Sequence, residues 1–327
     1  MRFFRSGGGS SGQLASPEQQ AEQQARSEHS RELVEAGGIP LEAQARIEHQ
    51  RDEGGVFTSD LSVDELAALS GIGYQPVALV MGSSLYRMGW ISPMGMGMGM
   101  GMGYGRMMNW GAIEPQELSY LTAALTESRA RAIHRLLLET RGLGAEGVVG
   151  VRLVVNRWDW ATGMAEFTVL GTAVRRVGQA APDEPFTSTL SGQDMAKLVS
   201  CGYRPVKLVM GASAFQAVAF FGGFGGGLGM RGGLGVSSWY NQEVASYSRA
   251  LQQAQAVGRQ RMANDASRVG AAGVVGVEIE SHVLEYSTGS ESVGGRIVEW
   301  VIMGTAVLPQ PNSKRPPQPR LVVSLDS

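Results

Sequence analysis

The sequence predicts an α+β chain made of two tandem β-α-β-β units, each with one long helix on a small antiparallel sheet. Three observations carry this. The stretch "FTSDLSVDELAALSGIGYQPVALVMGSSLY" at 57–86 returns as "FTSTLSGQDMAKLVSCGYRPVKLVMGASAF" at 186–215, at a constant offset of 129. "LGAEGVVGVRL" at 143–153 returns as "VGAAGVVGVEI" at 269–279, and "EFTVLGTAV" at 166–174 as "EWVIMGTAV" at 299–307, at offsets of 126 and 133. Only the connecting loops differ in length, so the chain holds two homologous domains.

Each element has a local cause. "LSVDEL" and "LSGQDM" place Ser62 and Ser191 three residues before Glu65 and Asp194, the pattern of a helix start in which a serine caps the first turn. "PVALVMG" and "PVKLVMG" are strands that open at a proline, where a missing ladder donor is tolerated. A glycine-rich loop follows in both copies. The spacing of Leu118, Leu121, Leu125, Ala132 and Leu136 predicts a long helix over about 114–142. Val244, Tyr247, Leu251 and Met262 predict its partner over about 240–268. These helices end at Gly144 and Gly270, residues that accept a left-handed cap. Two strands then form a hairpin in each copy, joined by "NRWDWATGM" and "EYSTGSESVGG". One helix on a small sheet leaves the other sheet face bare, so each unit needs a partner, either its sister copy or another subunit.

The boundaries read as a flexible, partly helical extension over 1–55, domain 1 over 56–178 with a Met/Gly-rich loop at 89–111, domain 2 over 185–309 with a Gly/Phe-rich loop at 217–238, and a Pro-rich tail over 310–327. The extension predicts two short helices broken at Gly37 and Gly38.

A formal net charge of −2 and a pI near 6.1 give no extended basic surface, which argues against nucleic acid as a partner. Cys201 is the single cysteine, so an intrachain disulfide is excluded and a reducing compartment fits. The first twelve residues lack the apolar core of a secretory signal, and no run of about 18 apolar residues exists. The expected location is the cytoplasm.

The segments "YQPVALVMGSSLY", the long helix into "LGAEGVVGVRL", and "FTVLGTAV" resemble the YbjQ-like family of small bacterial proteins, labelled heavy-metal-binding domains. The pair of copies preceded by "EAGGIPLEAQARI" is similar to the tandem actinobacterial type, and the resemblance covers about 35–308. It implies dodecin-like subunits that assemble into rings, typically pentamers, with helices outside and sheets abutting. Some tandem relatives carry a histidine directly after the aromatic that ends the first strand. Here those places hold Arg87 and Gln216, which removes one candidate ligand from each copy.

Candidate chemistry is sparse. His29, His49 and His134 lack a partner at the i, i+4 spacing of a helical metal site, and His282 alternates with Glu278 and Glu280 along a strand. No serine elbow, Cys/His pair or paired carboxylates appear, so no catalytic residue is assigned and the chain is not expected to be an enzyme. "GAEGVVGV" follows a helix and opens a strand, the reverse of a dinucleotide loop; Gly147, Gly150, Gly273 and Gly276 read as close-packing or bulge positions, and Gly171 and Gly304 as close-approach positions.

The one soft-metal candidate is Met94, Met96, Met98, Met100, Met102, Met107 and Met108, since thioethers favour an ion such as Cu(I). The sister loop is a control inside the same chain: it keeps glycine and apolar residues but only one methionine. Shared apolar character assigns Tyr104, Trp110, Phe220, Phe221, Phe224, Leu228, Met230 and Leu234 to assembly or partner contact. The expected partners are the chain itself as a homo-oligomer, and through the loops another protein or a membrane surface.

Overall fold

In a computed structural model the described residues are 17–51, 58–87, 115–157, 164–219, 245–287 and 294–310. The chain divides into two compact units, Met1–Gly55 and Val56–Ser327.

In the first unit, α1 (Pro17–Glu35) and α2 (Leu41–Arg51) are separated by a turn in which Gly37 takes a φ of 89°. Proline opens α1 at the one turn where its missing N–H costs nothing. The Leu41 N–H donates to Ser30 Oγ at 3.3 Å and ties the start of α2 to α1. The two-helix expectation with a break at Gly37 and Gly38 agrees with this.

The second unit begins with α3 (Val63–Gly71), whose N-cap Ser62 forms the full capping box: Glu65 N–H donates to the Ser62 hydroxyl and Ser62 N–H to the Glu65 carboxylate. Then come β1 (Tyr74–Arg87), the two-residue β2 (Gln116–Glu117), α4 (Ser119–Gly142), β3 (Gly147–Arg157) and β4 (Met164–Arg176). The second copy contributes β5 (Phe186–Thr187), α5 (Gly192–Ser200) capped by Ser191, β6 (Tyr203–Ala219), α6 (Ala245–Arg268), β7 (Gly273–Ser287) and β8 (Gly294–Pro309).

The first sheet has the order β1-β4-β3-β5 and the second β2-β6-β8-β7. In each copy the last strand is central and antiparallel to both neighbours. The first strands run longer than the proline-led heptapeptides suggest, to 14 and 17 residues. The ladder shifts register at Val149/Arg152 and at Val275/Glu278, with Gly150 and Gly276 at φ 64° and 59°, the bulge role expected of them. Gly144 and Gly270 take φ of 63° and 64°, as left-handed caps require.

A glycine lets each long helix press on its sheet. A Cβ on Gly82 would sit 2.0 Å from the Ala132 carbonyl oxygen, and one on Gly211 would sit 1.9 Å from that of Gly258. The same backbone contact therefore occurs twice at matching positions. Beneath α6, Phe215, Val298, Trp300 and Ile302 pack with Ala250 and Ala254. Val298, Trp300 and Ile302 alternate along β8 and so share the face turned to the helix.

Candidate functional site at the junction of the two copies

The short strands β2 and β5 are exchanged. β5 belongs by sequence to the second copy but pairs in parallel with β3 of the first, Gly147 against Phe186. β2 precedes the helix of the first copy but pairs with β6 of the second, Gln116 against Gln216. The exchange is extended by Phe186 N–H to Glu146 O at 3.1 Å, Ser188 N–H to Val148 O at 2.9 Å, and Leu118 N–H to Ala214 O at 2.8 Å. Residues 186–190 are buried throughout. Neither short strand was expected from sequence, because two residues give no period to read. The signal available was the repeated "FTS", which sits at the start of both copies.

Phe186 reaches Tyr74 edge-on, with ring centroids 6.1 Å apart and planes at 87°. Gly147 makes room for it: a Cβ there would lie 2.3 Å from the phenyl ring. The Tyr74 hydroxyl donates to Glu146 Oε1 at 2.9 Å and accepts from Arg176 Nη2 at 2.6 Å, and Arg176 also meets Glu146 at 3.1 Å. Burial first, and the neighbouring Glu146 carboxylate in the same direction, push Tyr74 up to about 12 against the opposing pull of Arg176.

A second polar contact lies deeper. Arg129 of α4 pairs with Glu299 of β8, both side chains fully buried, and its guanidinium stacks 4.9 Å over the Phe167 ring of β4. One residue of the first copy's helix thus touches both sheets. Arg261 of α6 returns the interaction by gripping Glu117 of β2 through both carboxylate oxygens, at 2.5 and 3.1 Å. These residues were absent from the candidates drawn from sequence, since Glu166 and Glu299 are equivalent there and nothing distinguished the one that faces Arg129.

Between the copies opens a cleft of about 1040 Å³ lined by Tyr74, His134, Arg141, Arg204, Lys207 and Arg268 among others. Three of its six arginine and lysine side chains are matched by acids, Arg176 by Glu146, Lys207 by Asp265 at 3.0 Å, and Arg261 by Glu117, while Arg141, Arg204 and Arg268 leave the lining net basic. The three matched pairs belong to the junction's ion-pair network.

The metal candidates Met94, Met96, Met98, Met100, Met102, Met107 and Met108 lie outside the described residues. So do Tyr104, Trp110, Phe220, Phe221, Phe224, Leu228, Met230 and Leu234. Among the described residues no group of three or more His, Cys, Asp or Glu is placed to hold a metal ion. His282 and Glu280 approach to 3.8 Å, and Glu278 is held above the usual carboxylate range by burial and by the charge of Glu280. Cys201 is exposed at the end of α5. Among the described residues no helix is long and apolar enough to cross a membrane.

The fold and junction define a duplicated α+β protein whose copies are interlocked by strand exchange. The chain belongs to the YbjQ-like family: the family model described as "Putative heavy-metal-binding" matches residues 112–177 and 228–310. An encapsulin nanocompartment protein of Mycobacterium tuberculosis is 33% identical over 299 residues, covering 90% of this chain and 100% of that one. UPF0145 proteins of Psychrobacter arcticus and Clostridium perfringens are each 43% identical, over 61 and 58 residues. Those two alignments cover 19% and 18% of this chain, and 37% and 53% of the relatives. No solved structure matches.

Proposed function

We propose that this chain is a non-enzymatic, self-assembling protein of dodecin-like units that closes into a ring and serves in a nanocompartment-type assembly. The observation that carries the reading is the uneven burial of two equivalent sheets. Along β6 and β8, Leu208, Ala212, Ala214, Val301 and Met303 are buried by the junction, whereas Met81 and Leu85 on the equivalent face of β1 are exposed. An apolar face that one copy covers and the other leaves open is the mark of an interface with a further subunit. The name of the mycobacterial relative, which the chain matches over that protein's whole length, supports the same reading. In it the loops at 89–111 and 217–238 project from one rim and contact a partner or each other, in the cytoplasm. Size-exclusion chromatography with light scattering checks the core of the reading: an oligomer is expected, and a stable monomer at micromolar concentration overturns it.

The family's description favours a second reading, a soft-metal binding protein that uses the run from Met94 to Met108. Thioethers in alternation with glycine suit Cu(I). Anaerobic Cu(I) titration of the full chain beside a version lacking 94–108 separates the two. Equal uptake by both rejects the loop as the site.

A further inference from the structure

The chain contains one complete junction between its copies and, at its two outer ends, the unmatched halves of another. Inside the junction, β3 of the first copy receives the segment 186–190: Ser188 N–H donates to Val148 O, Gly150 N–H to Leu190 O, and Val151 N–H to Ser188 O, each at 2.9 Å. Val151 and Leu153 are 1% and 9% exposed there. Their equivalents on β7, Val277 and Ile279, are 46% and 59% exposed, and β7 is the outer strand of its sheet. "GVVGV" is identical at 147–151 and 273–277, and Gly276 repeats the left-handed bulge of Gly150, so β7 presents the same edge with no strand paired to it among the described residues, although the Thr189 hydroxyl donates to the Gly276 carbonyl at 2.8 Å.

The opposite end has the matching half. "FTS" at 186–188 is identical at 57–59. Residues 186–190 are wholly buried, whereas 58–61 are exposed or half-buried. Leu85 is 57% exposed where its equivalent Ala214 is fully buried. One glycine pair makes the complementarity specific. Gly147 is filled by the Phe186 ring, whereas among the described residues a Cβ on the equivalent Gly273 would meet only Val307 Cγ2, at 4.0 Å. Among the described residues, the second copy keeps the space for a phenyl ring and has none in it.

We propose that the occupant is a second copy of this chain docked head to tail, its segment 57–61 on β7 and the open face of its first sheet over α6. First and second copies then alternate around one assembly instead of forming separate stacked rings. A heterologous contact of this kind closes into a ring when its rotation divides a full turn. The proposal rests on the self-assembly reading and adds its interface. The outer junction is also the weaker one: Gln255 stands where Arg129 stands inside the chain, and Ala272 where Glu146 stands, so its buried ionic contacts are missing.

The experiment uses full-length chains, native mass spectrometry and light scattering. Gly273→Leu fills the empty space and blocks the tail while meeting little in the isolated chain. Leu85→Lys puts a charge on an exposed position that the junction would bury, and blocks the head. Each variant alone is expected to be a monomer where the unaltered chain assembles. An equimolar mixture is expected to give a dimer and stop, because one intact head meets one intact tail; a dimer also shows that both variants fold. Unaltered assembly by both variants, or no dimer from the mixture, overturns the interface and leaves self-assembly standing. A monomeric unaltered chain overturns both. If the apolar stretch at 321–325 of the same chain is the occupant instead, Gly273→Leu changes thermal stability and not size, which overturns the proposal.

Discussion

At the scale of single residues, the junction depends on polar groups that are fully enclosed. Arg129 and Glu299 face each other with no solvent access, so each neutralises a charge the other could not leave unpaired. Glu299→Gln removes the negative partner and strands the guanidinium, a change that costs about 3–5 kcal/mol at buried ion pairs. Denaturant titration should show that loss. The double change Arg129→Met with Glu299→Leu should recover most of it, because two apolar side chains leave no charge to desolvate. Tyr74 gives a pH signature. Its hydroxyl titrates near 10 when unfolded and at about 12 when folded, so the folded state holds its proton more tightly. Its contribution is complete below pH 10 and is lost as pH rises from 10 to 12, on the order of 2 kcal/mol. Thermal unfolding across that range should fall more steeply for the unaltered chain than for Tyr74→Phe, and equal slopes would dismiss the linkage.

At the scale of elements, what was legible in the sequence were those with a strong period or a cap. The serine caps at Ser62 and Ser191, the glycine stops at Gly144 and Gly270, and the bulges at Gly150 and Gly276 all stand where the local chemistry puts them. The first long helix starts later than its apolar spacing suggests, because Gln116 and Glu117 are drawn into a strand by β6 of the other copy. That pull is tertiary, and no local preference encodes it. β5 was hidden for the same reason, although Phe186 anchors it. Phe186→Ala should cost about 3 kcal/mol and release the strand. Hydrogen exchange at the amides of Phe186 and Ser188, which donate to Glu146 and Val148, should then speed up while the amides of β4 stay protected. Uniform acceleration across the sheet would show that the ring supports the whole unit and not β5 alone.

At the scale of the whole molecule, repetition of sequence does not mean independence of folding. The two copies look like separable domains on the page, each with its helix and three long strands. Yet residues from Val56 to Ser327 form one compact unit, because each sheet takes its fourth strand from the other copy. A fragment holding 56–182 would expose β3 along its edge and uncover Gly147 and Tyr74 where Phe186 now sits. It would also leave Arg129 against Phe167 without its carboxylate. The expectation is therefore a single cooperative transition for 56–327, with calorimetric and van't Hoff enthalpies equal when measured on chains blocked from assembling. The fragment 56–182 alone should lack cooperative unfolding, and adding the fragment 183–327 in trans should restore it. Two separate transitions, or a well-folded 56–182, would show that the exchanged strands decorate two complete domains. The exchange would then contribute to orientation and little to stability, and the burial of 186–190 would mark a surface as detachable as the open one on β7.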